Sequence, residues 1–278
     1  MTSQQENKLI LCGCGWLGGY LASHFRSQMN IYGTTRNEDK ARALGQQGIQ
    51  AIPFALGDNT QDILAVAPDS TFILNIPPGR RNNDLSQFTS AMQQLISALY
   101  NQVPPKQLIF ISTTSVYGDQ EGDITTSTAP APNTSSGEAH VEIEQWVQNT
   151  APDSGYILRL AGLTGPDRHP VKTLAGRTLS GATQVVNLVH ADDVVKVIEA
   201  LLVQKPANKL WHLCSDEHPM RGDYYPQMAK RLGLPAVGFT DELTGASVPS
   251  GKRINPGATL TGLGITLSYP TPWTMQPA

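Results

Sequence analysis

Six residues near the start of the chain, Gly13-Cys14-Gly15-Trp16-Leu17-Gly18, have the spacing G-x-G-x-x-G. That spacing suits the cradling of a diphosphate. The first glycine allows a tight turn, the second lets backbone approach an anion, and the third lets a helix pack closely on a strand. An apolar run over residues 9–13 reads as the strand before it, and residues 17–28 read as the helix it opens. The N–H groups and positive dipole end of such a helix favour phosphate. Gly13, Gly15, Trp16, Leu17 and Gly18 are therefore candidates for binding a dinucleotide.

The second strand, residues 30–34, runs into Thr35-Arg36. An acid at this point would accept hydrogen bonds from an adenosine ribose. A hydroxyl and a guanidinium stand there instead, and an arginine fork grips a 2′-phosphate through charge-assisted bonds. Thr35 and Arg36 thus point to NAD(P), with NADP(H) favoured; Glu38 and Asp39 come too late, on the next helix. The end of the fourth strand, Asn75-Ile76-Pro77, belongs to the same candidate pocket. Three cysteines (Cys12, Cys14 and Cys214) are too few and wrongly spaced for zinc, so no metal is expected. Cys12 and Cys14 flank Gly13, where small volume is the use expected of them. Arg80 and Arg81 follow the fourth strand, Arg159, Arg168 and His169 lie in or after the sixth, and Arg253 is near the end. Together they suit an anionic substrate.

The elements that must position these residues alternate as strand and helix. Further strands are expected at 50–54, 71–76, 107–112 and 156–160, and helices at 38–44, 84–100 and 135–147. A strand at 185–189, a helix at 192–202 and a strand at 210–214 resume the rhythm, and a last helix is expected at 224–232. The fold class is α/β, a Rossmann doubly wound parallel sheet with a small C-terminal substrate lobe. Residues 1–165 form the NAD(P)-binding domain, with returns near 185–215, and 166–278 form mainly the lobe.

With 278 residues, two-fifths of them hydrophobic, the chain can bury a sizeable core. A net charge of -3 gives no reason to expect nucleic acid or an anionic membrane. No apolar run nears the roughly 20 residues of a membrane span, and the polar start lacks a signal-peptide pattern. The expectation is a cytoplasmic protein whose partner is a small-molecule substrate, with a homodimer allowed for.

Beyond the glycine turn, Ile111-Ser112-Thr113-Thr114-Ser115-Val116-Tyr117-Gly118, the segment Leu158-Arg159-Leu160-Ala161-Gly162-Leu163-Thr164-Gly165-Pro166 and the segment Asn187-Leu188-Val189-His190-Ala191-Asp192-Asp193-Val194 follow in order. Together they resemble an extended short-chain dehydrogenase/reductase of the NAD-dependent epimerase/dehydratase type. The glycine spacing points to its atypical branch, the YeeZ-like group. The resemblance covers roughly the first 200 residues. It implies a Ser or Thr at the end of the fifth strand, matched by Thr113, and a Tyr with a Lys four residues later on the next helix. Those two positions hold Ser136 and His140. An aliphatic hydroxyl cannot replace a phenol as a neutral-pH acid, and positioned proton transfer typically contributes about 10²–10⁴-fold.

His140, with an ordinary pKa near neutral, could take over proton transfer, and Tyr117 is a second candidate. His190 is expected to help the turn into a helix capped by Asp192 or Asp193. Asn187 joins Arg80, Arg168 and Arg253 as a substrate-binding candidate. The resemblance implies an epimerase/dehydratase-like oxidoreductase with a modified site, acting on a small anionic substrate such as a nucleotide sugar. The alternative is a catalytically silent NADP(H)-binding redox sensor or regulatory protein.

Overall fold

Leu9, Ile10, Leu11 and Cys12 have no exposed surface, as expected of a central parallel strand covered on both faces. They belong to β1 (Lys8–Cys12), followed by α1 (Trp16–Phe25), β2 (Asn30–Thr35), α2 (Glu38–Gln46) and β3 (Gln50–Pro53). Next come α3 (Gln61–Val66), β4 (Ser70–Leu74), α4 (Ser86–Gln102), β5 (Gln107–Thr113) and β6 (Gly122–Ile124). Then follow α5 (Ser135–Thr150), β7 (Gly155–Leu160), β8 (Gly162–Thr164), α6 (Val171–Leu174) and β9 (Thr178–Leu179). The remaining elements are β10 (Leu188–His190), α7 (Ala191–Gln204), β11 (Leu210–Leu213), α8 (Arg221–Arg231), β12 (Gly238–Phe239), β13 (Lys252–Ile254) and α9 (Gly257–Leu263). This computed structural model describes residues 7–79, 85–241 and 243–276.

The seven-stranded sheet has the order β11-β7-β5-β4-β1-β2-β3. The order reverses between β1 and β4, which makes it the expected doubly wound Rossmann-like α/β sheet. β1 pairs in parallel with β2 (Lys8↔Asn30 to Leu11↔Gly33) and with β4 (Lys8↔Ser70 to Cys12↔Leu74). β2 with β3 and β4 with β5 are also parallel, so β1, β2, β4 and β5 present their carboxyl ends on one edge.

Two compact units divide the chain. The first takes the chain up to Thr113, Thr134–Leu158 and Ala207–Leu210; the second takes Thr114–Asn133, Arg159–Pro206 and the chain from Trp211 on. In the first, Ile10, Phe72, Leu74, Leu108 and Phe110 from the sheet meet Met92, Leu95, Ile96 and Leu99 of α4 and Ile143 and Val147 of α5. The α4 residues recur at three- and four-residue steps, one helical face. The second unit buries Val171, Val186, Leu188, Tyr224, Met228 and Met275 together. It also holds three short parallel pairs, β10 with β8, β12 with β9 and β13 with β6.

The strand expected at 185–189 starts later, at Leu188, and pairs with β8 outside the large sheet. The backbone N–H groups of Val185 and Val186 instead donate to the Ser250 and Pro219 carbonyls. α6 is the short helix that the 162–183 segment allows, whereas α3, β6, β8, β9, β12, β13 and α9 are not expected from the sequence. Most are two to four residues long, too short to show a period. Among the described residues no helix is long and apolar enough to cross a membrane.

Candidate functional site

The three glycines of the turn are required for different reasons. Gly13 has φ +94°, and a Cβ there would lie 2.4 Å from the Asn75 carbonyl oxygen. A Cβ on Gly18 would lie 2.8 Å from the Gly13 carbonyl oxygen. Gly15 is exposed, with φ -75° and ψ -148°, and a Cβ there would meet nothing closer than 4.0 Å. The first and third are closed against the protein itself; the second faces open space.

Thr34 Oγ1 accepts from Gly13 N at 2.8 Å, Cys14 N donates to the Thr34 carbonyl at 3.3 Å, and Asn75 Nδ2 donates to the Gly13 carbonyl at 3.2 Å. The turn is therefore fixed from β2 and from the end of β4. Cys14 fills the space over Gly33, whose hypothetical Cβ would sit 3.1 Å from Sγ. This is the small-volume use expected of it. α1 begins at Gly15 with no side-chain cap and no acid in its first turn. Its first N–H groups, which have no intrahelical acceptor, suit an anion at the exposed face of Gly15. Trp16 stacks on Tyr20 at 5.7 Å, and Leu17 is buried, so only its backbone is available to a ligand.

Arg36 is exposed just beyond β2, and its side chain has no hydrogen bond or ion pair among the described residues. Thr35 Oγ1 accepts from Asn37 N at 3.2 Å, while Asn37 caps α2 through Lys40 N. Asp39 pairs with Arg42 on the outside of α2. Ile76 packs partly into the core and Pro77 is exposed.

Thr113 is half-buried at the carboxyl end of β5, and Ser136 and His140 lie one turn apart on α5. His140 is only 6 % exposed and stacks on Phe110 at 5.8 Å. Its Nδ1 lies 2.6 Å from the Ser136 carbonyl oxygen. A carbonyl only accepts, so Nδ1 carries the proton. Burial lowers the imidazole pKa, against the raising effects of the Ser136 bond and of Glu144. The ring is therefore neutral at pH 7, and the neutral-pH titration expected for it is displaced downward. Glu144, one turn further, is buried and accepts from Ser112 Oγ at 2.6 Å. Sequence reasoning missed this pair, although Glu144 stands at i+4 from His140.

In the second unit Tyr117 has no exposed surface. His212 Nε2 donates to the Asn255 carbonyl at 2.6 Å, so its Nδ1 accepts from Tyr117 Oη at 3.1 Å. Arg159 Nη1 donates to the same phenol oxygen at 2.9 Å, with its guanidinium over the ring at 4.9 Å. The phenol proton is engaged, and the arginine expected at the substrate edge is 3 % exposed. His169 is also interior. It accepts from Val171 N and bonds Tyr224 Oη at 2.8 Å, and burial brings its pKa down to about 4.

The α7 cap differs from expectation. His190 Nδ1 accepts from Asp192 N, while the Asp193 carboxylate accepts from Ser268 N and Tyr269 N at 2.6 and 3.0 Å. Asp193 ties down a distant segment and is not the cap. Asn187 donates to the Lys252 carbonyl at 2.9 Å and accepts from Ile254 N at 3.0 Å, which fixes β13. β13 carries Arg253, exposed and paired with Asp123 at 2.8 Å. Arg168 is exposed, and Arg80 and Arg81 lie outside the described residues. Among the described residues no group of three His, Cys, Asp or Glu could hold a metal.

The profile of the NAD dependent epimerase/dehydratase family matches residues 9–214. Protein YeeZ of Escherichia coli K12 is 34% identical over 274 residues, 96% of this chain and 98% of that protein. A functionally unknown conserved protein from Silicibacter pomeroyi superposes with a TM-score of 0.75 at 25% identity, covering 95% of each chain. The Bordetella bronchiseptica enzyme WbmG, solved with NAD and UDP, superposes with a TM-score of 0.78 at 19% identity, covering 99% of this chain and 94% of its own. The last likeness is one of fold.

Proposed function

We infer that this chain, which belongs to the NAD dependent epimerase/dehydratase family, binds a nicotinamide dinucleotide on its glycine turn, prefers NADP(H), and acts with altered proton chemistry on a small anionic substrate of the nucleotide-sugar class. One observation carries the cofactor reading: of three glycines in the turn, only Gly15 has open space where a side chain would be. A side chain at the first or third position would strike the protein; at the second it would strike only what is bound there.

The residues fit the group. Backbone N–H groups at the start of α1 would hold the pyrophosphate, and Asn75, Ile76 and Pro77 border the same sheet edge. Thr35 and the unpartnered Arg36 would hold the adenosine ribose and its 2′-phosphate. When bound, the nicotinamide supplies a hydride donor or acceptor. Around it the chain offers two aliphatic hydroxyls, Thr113 and Ser136, which orient by hydrogen bonding but are too weakly acidic to donate a proton at pH 7. As candidates for the substrate the second unit carries Arg168 and Arg253, the latter paired with Asp123 on a strand that Asn187 positions. WbmG, with NAD and UDP bound, supports the nucleotide part of that class.

The neutral state of His140 favours a second reading. A family lysine would supply a permanent cation; this imidazole supplies none at pH 7. A protein that binds NADP(H) as a sensor, with little turnover, meets that observation without a replacement acid.

Gly15→Val tests the cofactor reading. The space there is open, so the variant, with its fold checked by circular dichroism because ψ at Gly15 is -148°, should lose NADPH binding in calorimetric titration. Undiminished binding would reduce the motif to a turn.

A further inference from the structure

His140 is nine-tenths buried yet only half satisfied. Its Nδ1–H is fixed on the Ser136 carbonyl at 2.6 Å, and Phe110 stacks on the ring at 5.8 Å. Its Nε2 has no hydrogen-bond partner among the described residues. Among those residues no sealed side-chain nitrogen or oxygen lacks a partner. Nε2 therefore keeps some accessible surface on an otherwise buried ring. Because Nδ1 holds the proton, Nε2 presents a lone pair.

We propose that His140 is a specificity-determining acceptor: held as the Nδ1–H tautomer by the Ser136 carbonyl, it receives a hydrogen bond at Nε2 from a ligand hydroxyl. The inference rests on the functional reading above and sharpens it. A lone pair held in place selects donors, so an alcohol fits there, whereas a carbonyl, carboxylate or phosphate oxygen meets another lone pair. Where the family resemblance implies a lysine, a donor, this chain has reversed the direction of the hydrogen bond. Two ligands carry the required hydroxyl, the ribose of the dinucleotide and the sugar of a nucleotide-sugar substrate.

The test is long-range ¹⁵N–¹H spectroscopy of the full chain labelled on histidine, at pH 7, with His140 assigned by its loss in His140→Phe. The free protein should show His140 as the neutral Nδ1–H tautomer. Adding NADP⁺ in one arm and UDP-glucuronic acid in the other should move the Nε2 resonance upfield in one of them, which identifies the source of the hydroxyl. His140→Phe, which keeps the stack on Phe110, should weaken that ligand by about two- to tenfold, the size of one neutral hydrogen bond. A free ring found protonated on Nε2, or charged, overturns the proposal. So does a silent Nε2 in both arms when calorimetry shows that NADP⁺ binds, and then the functional reading survives. Failure of both ligands to bind wild type removes that reading and this inference with it.

Discussion

Two buried imidazoles, one in each unit, have opposite completeness. In the second unit His212 has no exposed surface and both nitrogens bonded, within a run of donors from Arg159 to Tyr117 to His212 to the Asn255 carbonyl. In the first unit His140 has one nitrogen bonded and the other open. A completed run builds structure, because breaking any member strands its neighbours. A half-completed one leaves capacity for something that is not part of the chain. The Tyr117 phenol, chemically the better acid, belongs to the completed run, and that assigns it to architecture.

The comparison predicts unequal costs. His212→Phe leaves the Asn255 carbonyl short of its donor and turns the Tyr117 phenol proton to the longer contact with the Thr125 carbonyl at 3.4 Å, and should lower unfolding stability by about 3 kcal/mol. Urea denaturation read beside His140→Phe checks this, and equal losses in the two variants would break the distinction.

Acid should weaken the second unit next. The folded pKa of His169, about 4, lies below the ordinary value of 6.5. The neutral form is favoured by folding, so its contribution is complete above pH 6.5 and is lost as pH falls towards 4. The loss reaches about 3 kcal/mol at most, from 1.36 kcal/mol per pKa unit. Stability measured from pH 7 to 4 should decline more steeply in wild type than in His169→Gln; parallel curves would show that His169 is not the group responsible.

Arg36→Asp should weaken NADPH about tenfold and leave NADH less affected, the worth of an exposed charge-assisted contact. Equal loss for both cofactors would return Arg36 to the solvent. The smallest effect expected is on the stability of His140→Phe, about 1 kcal/mol or less, since only the Ser136 carbonyl is left short. A much larger loss would mean that His140 is as structural as His212.

How much of this was legible depended on the range of the contacts. The glycine turn could be read because its requirement is local: strand, turn and helix are contiguous, and Gly13, Gly15 and Gly18 serve them in order. β1, β2, β4, β5 and β7 announced themselves as apolar runs. α5 was visible, and its spacing placed Ser136 and His140 on one face. What could not be read was long-range. Arginine is rarely interior, and nothing near Arg159 in sequence announces Tyr117 and His212. Asp193 has the composition of a cap, and only the fold brings Ser268 and Tyr269 to it. The strand 252–254 is too short to have a pattern, and its pairing with Gly122–Ile124 spans half the chain.

The cysteines, set aside as chemistry, are placed to report on motion. Cys12 and Cys214 are wholly buried, one in each unit, and burial pushes both thiols up to about 12. Cys14, beneath Gly33, is 1 % exposed. A thiol reagent reacts with thiolate, of which a closed unit at pH 8 offers about one part in ten thousand at these two sites. Labelling must then wait for a unit to open. Its rate, resolved by peptide, is a clock for each unit: modification at Cys12 and Cys14 times the opening of the first, and modification at Cys214 times that of the second. A ligand that slows the first clock and not the second would reveal which unit it grips.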